Sequence, residues 1–407
     1  MQKIKRKTEL DKLAILKDKN LIKVVTGVRR AGKSTLLLQF QELLKAENPN
    51  VSLVSINMDL PEFRSLAEKH WKEIYDYIKK MLQENEINYV FIDEIQNIPE
   101  FEKLLEGLFV TPNVDLYVTG SNAYLLSSEL ATLLTGRAFE INILPFSFAE
   151  YVEFTGKTPN PNPDRAFAEY MRTGGFPEAI GLAESGENFT YEYLKTVFQN
   201  IYENDIQKRH TIYNDTSYNE VVDFLIDSIG SSVSARNIAN ILTANGKKID
   251  NKTVSKYIGT LVESYLFYRV NRYDIKGKQH LSTQEKYYLV DLGLRYALLG
   301  KELSSDMGHL LENVIFLELQ RRNSQIWIGK TGNLEVDFVV RDKNGYTKYI
   351  QVAYTVKEQK TLERELAPFD KIPDFNERLL ITMDYETGSH NGVKQINVID
   401  WLLNIEK

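Results

Sequence analysis

Apolar and polar positions alternate along the chain in blocks that predict strands and helices in turn. Residues 21–26 are an apolar, β-branched run that predicts a buried strand, after which Leu36, Leu37, Phe40, Leu43 and Leu44 recur at helical spacing. Residues 51–59 predict a second strand and residues 62–84 a largely helical segment. Tyr89, Val90, Phe91 and Ile92 form a third apolar run, closed by Asp93 and Glu94. Residues 114–123 and 139–146 are further strand candidates. Strands alternating with helices imply a parallel sheet covered on both faces, with ligands at the carboxyl ends of the strands.

The pattern changes beyond residue 190. Residues 190–210 read as a linking helix, and 219–230, 234–244 and 251–265 as three amphipathic helices. LFYRVNRYD (266–274) and KYYLVD (286–291) flank the polar loop IKGKQHLS, so three helices and a two-stranded wing predict a winged-helix domain. Further on, HLLENVIFLELQRR (309–322) predicts a helix, and residues 335–340 and 349–354 predict strands.

The first strand–helix junction carries the strongest chemistry. Gly27-Val28-Arg29-Arg30-Ala31-Gly32-Lys33-Ser34 fits G-x-x-x-x-G-K-S/T, and it lies between a strand and a helix, as a P-loop requires. Backbone N–H groups of residues 27–35, Thr35 included, must wrap the phosphates, and a side chain at either glycine would block that approach. The helix beginning near Lys33 turns its positive dipole end toward the anion. Lys33 is then expected to bridge the β- and γ-phosphates, and the Ser34 hydroxyl to bind Mg²⁺. Arg29 and Arg30 either touch the phosphates or an adjacent domain, or are solvated loop arginines.

Asp93 and Glu94 supply the matching half about sixty residues on. Asp93 is expected to hold Mg²⁺ through water opposite Ser34, and Glu94 to polarise the attacking water as general base. Ser121 or Asn122, at the end of the 114–123 strand, either senses the γ-phosphate or serves as a turn or helix cap.

With these residues in view, the sequence resembles the prokaryotic AAA-type ATPases with a C-terminal domain of unknown function (AAA_14/DUF4143), in the ASCE branch of P-loop NTPases. GVRRAGKST, FIDEIQ, TGSNA, LLTGRAFEINILPFSFAEY and GGFPEAI carry the resemblance, which spans the chain and is most specific over residues 21–180. It implies a five-stranded core of 5-1-4-3-2 order, with the fourth strand between the two Walker strands. It casts Glu94 as the catalytic glutamate, Ser121 as a sensor and Arg137 as a family arginine. An arginine near the γ-phosphate stabilises transition-state charge, in cis or from a neighbouring subunit; the alternative is a structural arginine bonded to loop carbonyls. Gly174-Gly175-Phe176-Pro177 matches a family segment near the nucleotide; from the residues alone it is a tight turn or interdomain elbow.

Composition narrows these readings. At 407 residues the chain is long enough for two to three domains, and 43% hydrophobic with 26% charged residues is ordinary for a globular protein. With no cysteine, disulfides, zinc–thiolate sites and cysteine nucleophiles are excluded. The five histidines are scattered, so a transition-metal site is not expected. The N-terminal segment lacks an apolar signal region and no run is long enough to span a membrane, so a cytoplasmic protein with no membrane partner is expected. The net charge is −6, yet residues 245–280 hold eight Lys/Arg against three Asp/Glu, a local +5. Lys252 and Lys256 on the third helix, and Lys276 and Lys278 in the wing, are expected to face outward. They either contact DNA phosphates or form the solvated face of a packing module, and the second is favoured.

The C-terminal part resembles a PD-(D/E)xK nuclease core, with Glu312 on a helix and Asp337 on a strand. The E-x-K position reads Gln351-Val352-Ala353, which supplies neither the carboxylate nor the ammonium, so a nuclease-like fold without efficient cleavage is expected. The domains expected are an ATPase core at 1–180, a linker and winged helix at 181–292, and a DUF4143-type domain at 293–407. The expected activity is Mg²⁺-dependent ATP hydrolysis driving a switch or remodeller, with a protein partner for the C-terminal domain. The alternatives are a DNA-binding module with an accessory ATPase, a Mg²⁺-dependent nuclease, and, more weakly, a kinase.

Overall fold

A computed structural model describes residues 4–123, 136–156, 162–247, 249–300, 307–322 and 324–405. Leu133 to Thr135 of the LLTGR segment and Lys248 of the basic stretch lie outside the described residues. The chain forms two compact units, Met1–Ile143 with Glu263–Tyr265, and Leu144–Val262 with Leu266–Lys407.

The first unit is an α/β layer structure. Its strands are β1 (Ile22–Thr26), β2 (Ser52–Asn57), β3 (Asn88–Asp93), β4 (Val114–Gly120) and β5 (Ala138–Asn142). They form one parallel sheet in the order β2-β3-β4-β1-β5, so β4 separates the strands that precede the two motifs. This is the order the family resemblance implies. Helices α1 (Lys7–Leu16), α2 (Lys33–Glu47), α3 (Pro61–Lys69), α4 (Trp71–Met81) and α5 (Phe101–Phe109) accompany the sheet. Val24, Val54, Ile56, Val90, Ile92 and Val118 pack with Ile74, Ile78, Leu104 and Leu108 in one core. Strands covered on both faces need apolar residues at nearly every position, which is why β3 reads as an apolar run and β1 as one interrupted by Lys23.

Register brings the strand ends together. Thr26 pairs with Gly120 and Asn142, and Asn57 with Asp93, so these carboxyl ends share one edge. One exception to the apolar core lies away from that edge. Lys23 on β1 is fully buried and ion-paired to Asp115 on β4. Asp115 also accepts the Tyr117 hydroxyl at 2.8 Å and the Asp18 N–H at 2.9 Å. Burial lowers the affinity of Lys23 for its proton, and the Asp115 hydrogen bond opposes that shift.

The second unit centres on a mixed sheet of nine strands. These are β6 (Ser232–Val233), β7 (Phe267–Asp274), β8 (Gln279–Leu289), β9 (Gln325–Thr331), β10 (Leu334–Arg341), β11 (Thr347–Ala353), β12 (Glu377–Thr382), β13 (Gly388–His390) and β14 (Val393–Asn397). Their order is β13-β14-β12-β11-β10-β9-β7-β8-β6. The helices expected near 219–230, 234–244 and 251–265 are Asp215–Asp227, Ala235–Ala244 and Asn251–Glu263. The hairpin β7–β8 is present, and β7 continues into the C-terminal strands by pairing in parallel with β9 through Arg272 and Ile328. The linking helix is Glu187–Ile201 followed by a π-helical turn, Tyr202–Gln207.

The strand expected over 139–146 stops at Asn142, and the Phe146 N–H then donates to the Gly175 carbonyl at 2.7 Å. Gly174 sits at φ 76°, and a Cβ there would collide with the Asp291 carboxylate. A Cβ on Gly175 would strike the Phe146 carbonyl, and the Gly175 N–H donates to Asp291 Oδ2 at 2.5 Å. The glycine pair is therefore an elbow within this unit, packed against the Phe146 backbone and the Asp291 carboxylate. Lys252 and Lys256 are both exposed as expected, and Lys256 also donates to the Thr211 carbonyl at 3.2 Å with the Tyr213 ring 5.4 Å away.

Candidate active site

The loop after β1 is shaped by its glycines. Gly27 has φ 136°, and a Cβ there would meet the Ile143 carbonyl. Gly32 has φ 100° and caps α2, whose first residue is Lys33. Arg30 also adopts a positive φ, 69°, and is exposed, while Val28 and Ala31 are fully buried and anchor the loop. The Lys33 ammonium folds over the loop and donates to the carbonyls of Gly27 at 3.0 Å and Val28 at 3.2 Å. Ser34 is half-buried in the first turn of α2, and Thr35 beside it is exposed.

The acid pair lies on the same sheet edge. Lys33 Nζ is 3.9 Å from Glu94 Oε1, which brings the two motifs together across 61 positions of sequence. Asp93 ends β3 where burial gives way to partial exposure. Glu94 follows in the left-handed region, φ 56°, an uncommon conformation for a residue with a side chain. That geometry is held by Thr119 on β4. Its hydroxyl accepts the Glu94 N–H at 2.9 Å and donates to Asp93 Oδ1 at 2.5 Å. Ser121 is fully buried and lies 3.5 Å from Glu94 Oε2, and Asn122 beside it is also fully buried. A serine hydroxyl and a carboxylate on one edge are hard oxygen donors, which fits Mg²⁺.

Three contributors escaped the sequence patterns. Thr119 is the second residue upstream of Ser121 and opens the TGSNA run, which gave it no role of its own. Gln96 follows the acid pair within the short turn Ile95–Asn97, and its amide donates to Glu94 Oε2 and to Ser121 Oγ at 3.2 Å. Arg6 is buried and donates to the Ala31 carbonyl at 2.9 Å, with no sequence signal at all.

Arg137 is not brought to this edge. It precedes β5, its carbonyl accepts the Ile22 N–H at the start of β1, and its guanidinium lies 5.5 Å from the Phe109 ring. Since β1 and β5 run parallel, that is the opposite end of the sheet from Gly27. Within this chain Arg137 therefore lies away from the loop that carries Lys33.

The second unit holds its own cleft, of about 710 Å³, lined by Glu312, Asp337, Gln351 and Ala353. Lys286 on β8 brings an ammonium into it. Lys286 Nζ contacts Glu312 Oε1 and Glu335 Oε1 at 2.9 Å each and Asp337 Oδ1 at 3.8 Å. Glu312 Oε1 also accepts the Tyr288 hydroxyl at 2.6 Å, and Gln351 donates to Glu365 at 2.8 Å. Burial opposes the charge on Lys286, but Glu312, Asp337 and Glu335 overcome it and raise its proton affinity. Burial and the neighbouring Glu312 raise that of Asp337 well above the usual carboxylate range. A bulge between Val336 and Val339 aims Asp337 into the cleft. Among the described residues no three His, Cys, Asp or Glu side chains converge as a metal site.

Residues 19–152 match the AAA domain family, AAA_14. The chain belongs to the AAA-like P-loop ATPase family. Residues 164–305 match a domain of unknown function, DUF8612, which replaces the DUF4143 domain expected from the resemblance. A curated Haemophilus influenzae protein, named only as uncharacterized, is 37% identical over 98% of both chains. The uncharacterized protein MJ1544 of Methanocaldococcus jannaschii is 29% identical over 94% of this chain and 85% of its own. Among solved structures, the Walker-type ATPase PABY2304 of Pyrococcus abyssi aligns with a TM-score of 0.49 and 17% identity, covering 72% of this chain and 95% of its own. No helix among the described residues is long and apolar enough to cross a membrane.

Proposed function

We propose that the first unit binds ATP on residues 27–35 and hydrolyses it, acting as a switch or remodelling ATPase for the modules that follow. The observation that carries this reading is the approach of Lys33 to Glu94, with Thr119 locking both acids of the pair. Loop N–H groups and Lys33 bind and orient the β- and γ-phosphates. Ser34, and Asp93 through water, would hold Mg²⁺, which would neutralise charge on the phosphate oxygens. Glu94 takes a proton from water as its oxygen attacks the γ-phosphorus. The bond from that phosphorus to the β–γ bridging oxygen breaks, leaving ADP and inorganic phosphate. Arg137, at the far sheet end beside Phe109, is read either as a structural arginine or as a residue acting on a neighbouring subunit's site. The test is phosphate release by wild type, Lys33→Ala and Glu94→Gln; equal background rates in all three overturn hydrolysis.

For the second unit we favour a winged-helix-like module used for packing and a nuclease-like core that does not cleave efficiently. The Lys286 ammonium already satisfies the carboxylates a cation would need, and Lys256 is occupied by Thr211. Cleavage of DNA in Mg²⁺ that is lost in Asp337→Ala would reverse the first point. Salt-dependent DNA binding weakened by neutralising Lys252 would reverse the second.

A further inference from the structure

The turn after the acid pair places one side chain in an unusual state. Asn97 N–H bonds the Glu94 carbonyl and Ile98 N–H the Ile95 carbonyl, both at 3.0 Å, so Gln96 is fixed by backbone on either side. Its two amide hydrogens have acceptors, Glu94 Oε2 and Ser121 Oγ. Its carbonyl oxygen, Oε1, is buried and has no hydrogen-bond partner among the described residues. A buried carbonyl without a donor costs free energy, and native proteins rarely leave one so unless a function requires it. Exchanging the amide's oxygen and nitrogen does not remove the problem, because it would set the oxygen against the Glu94 carboxylate.

We propose that Gln96 is a positioning residue of the hydrolytic centre: its amide holds Glu94 against Ser121, and its carbonyl oxygen accepts an O–H of the attacking water. The inference rests on the ATPase reading above and deepens it. A water that gives one hydrogen to Glu94 and the other to Gln96 Oε1 keeps a lone pair directed at the γ-phosphorus. Glu94 alone fixes only one of the two O–H directions, and the second acceptor removes the remaining rotation.

The experiment compares wild type, Gln96→Met, Gln96→Glu, Glu94→Gln and Lys33→Ala. It measures phosphate release across pH, binding of a fluorescent ATP analogue and thermal melting. Gln96→Met keeps the length of the side chain without either hydrogen-bonding function. It is expected to lower kcat by tenfold or more, with KM for ATP changed less than about threefold. Gln96→Glu keeps an acceptor oxygen but replaces the amide donor by a second carboxylate facing Glu94, so it too is expected to lower kcat more than it changes KM. A merely structural role would move melting without that split between kcat and KM. Wild-type kcat in both Gln96 variants, with turnover lost in Glu94→Gln and Lys33→Ala, overturns the role of Gln96 and leaves the ATPase reading standing. The same background rate in wild type and Lys33→Ala overturns that reading and the role of Gln96 with it.

Discussion

Lys286 Nζ lies 2.9 Å from Glu312 Oε1, joining β8 to the helix Met307–Arg321 inside the cleft of the second unit. The ammonium also reaches Glu335 and Asp337, so one cation balances three carboxylates. Removing it leaves buried like charges facing one another. Lys286→Ala is expected to destabilise the second unit by about 3–5 kcal/mol in chemical denaturation. Mg²⁺ at millimolar concentration should raise the melting temperature of this variant more than that of wild type, because the freed carboxylates regain a cation. A stability loss under 1 kcal/mol, roughly that of an exposed pair, would show that the cluster is not held by Lys286.

Thr119 joins Asp93 to Glu94 through one hydroxyl. Thr119→Val keeps the shape and removes both hydrogen bonds. It should leave the Glu94 N–H unpaired and its carboxylate misplaced, lowering kcat about tenfold or more with little change in KM. Thr119→Ser, which keeps the hydroxyl, should retain most of the activity. A valine variant with wild-type kcat would remove Thr119 from the site.

Lys23 and Asp115 pin β1 to β4 from inside the core. Asp115→Ala should cost about 3–5 kcal/mol by leaving the Lys23 ammonium uncompensated. The double variant Lys23→Met with Asp115→Leu should recover most of that loss, since an apolar pair of similar volume carries no desolvation penalty. Urea unfolding of the single and double variants decides it: equal losses in both would mean that packing volume, and not charge, dominates.

Asp291 carries a pH dependence with a definite sign. Burial pushes its carboxyl from the usual value of 3.8 up to about 7, against the backbone N–H of Gly175, which favours the charged form. Below the lower value both folded and unfolded chains hold the proton. Between the two values the unfolded chain ionises while the folded one keeps its proton, so stability falls as pH rises through that window and levels off above it. Asp291→Asn, neutral at every pH, should abolish this contribution of up to about 4 kcal/mol. Stability should be measured for both proteins from about pH 4 to pH 8, where parallel curves would rule out Asp291 as the titrating group.

The nucleotide loop and the acid pair were legible because each is a contiguous run whose chemistry depends on neighbours in the chain. Gly27 and Gly32 occupy positive-φ positions that the spacing of the motif already demands. The largely apolar runs of β1 and β3 announced strands covered on both faces, and their order followed from the resemblance. Boundaries were less secure: the strand expected over 139–146 ends at Asn142, because Phe146 turns away to bond Gly175.

Partners brought together by folding left no such trace. Thr119 bonds Asp93 from 26 positions away, and Lys286 bonds Glu312 from the same separation. Gln351 and Ala353 on β11 supply no cation, yet β8 brings a lysine to the same cleft by pairing through β7 and β9. Arg137 shows the converse, since its place beside Ile22, and hence its distance from the loop, follows from β5 pairing in parallel with β1. Local backbone conformation and hydrophobic period depend on residues a few positions apart, and a linear pattern records them. Side-chain hydrogen bonds and buried charges depend on which strand ends meet, and that is set by the packing of the whole sheet.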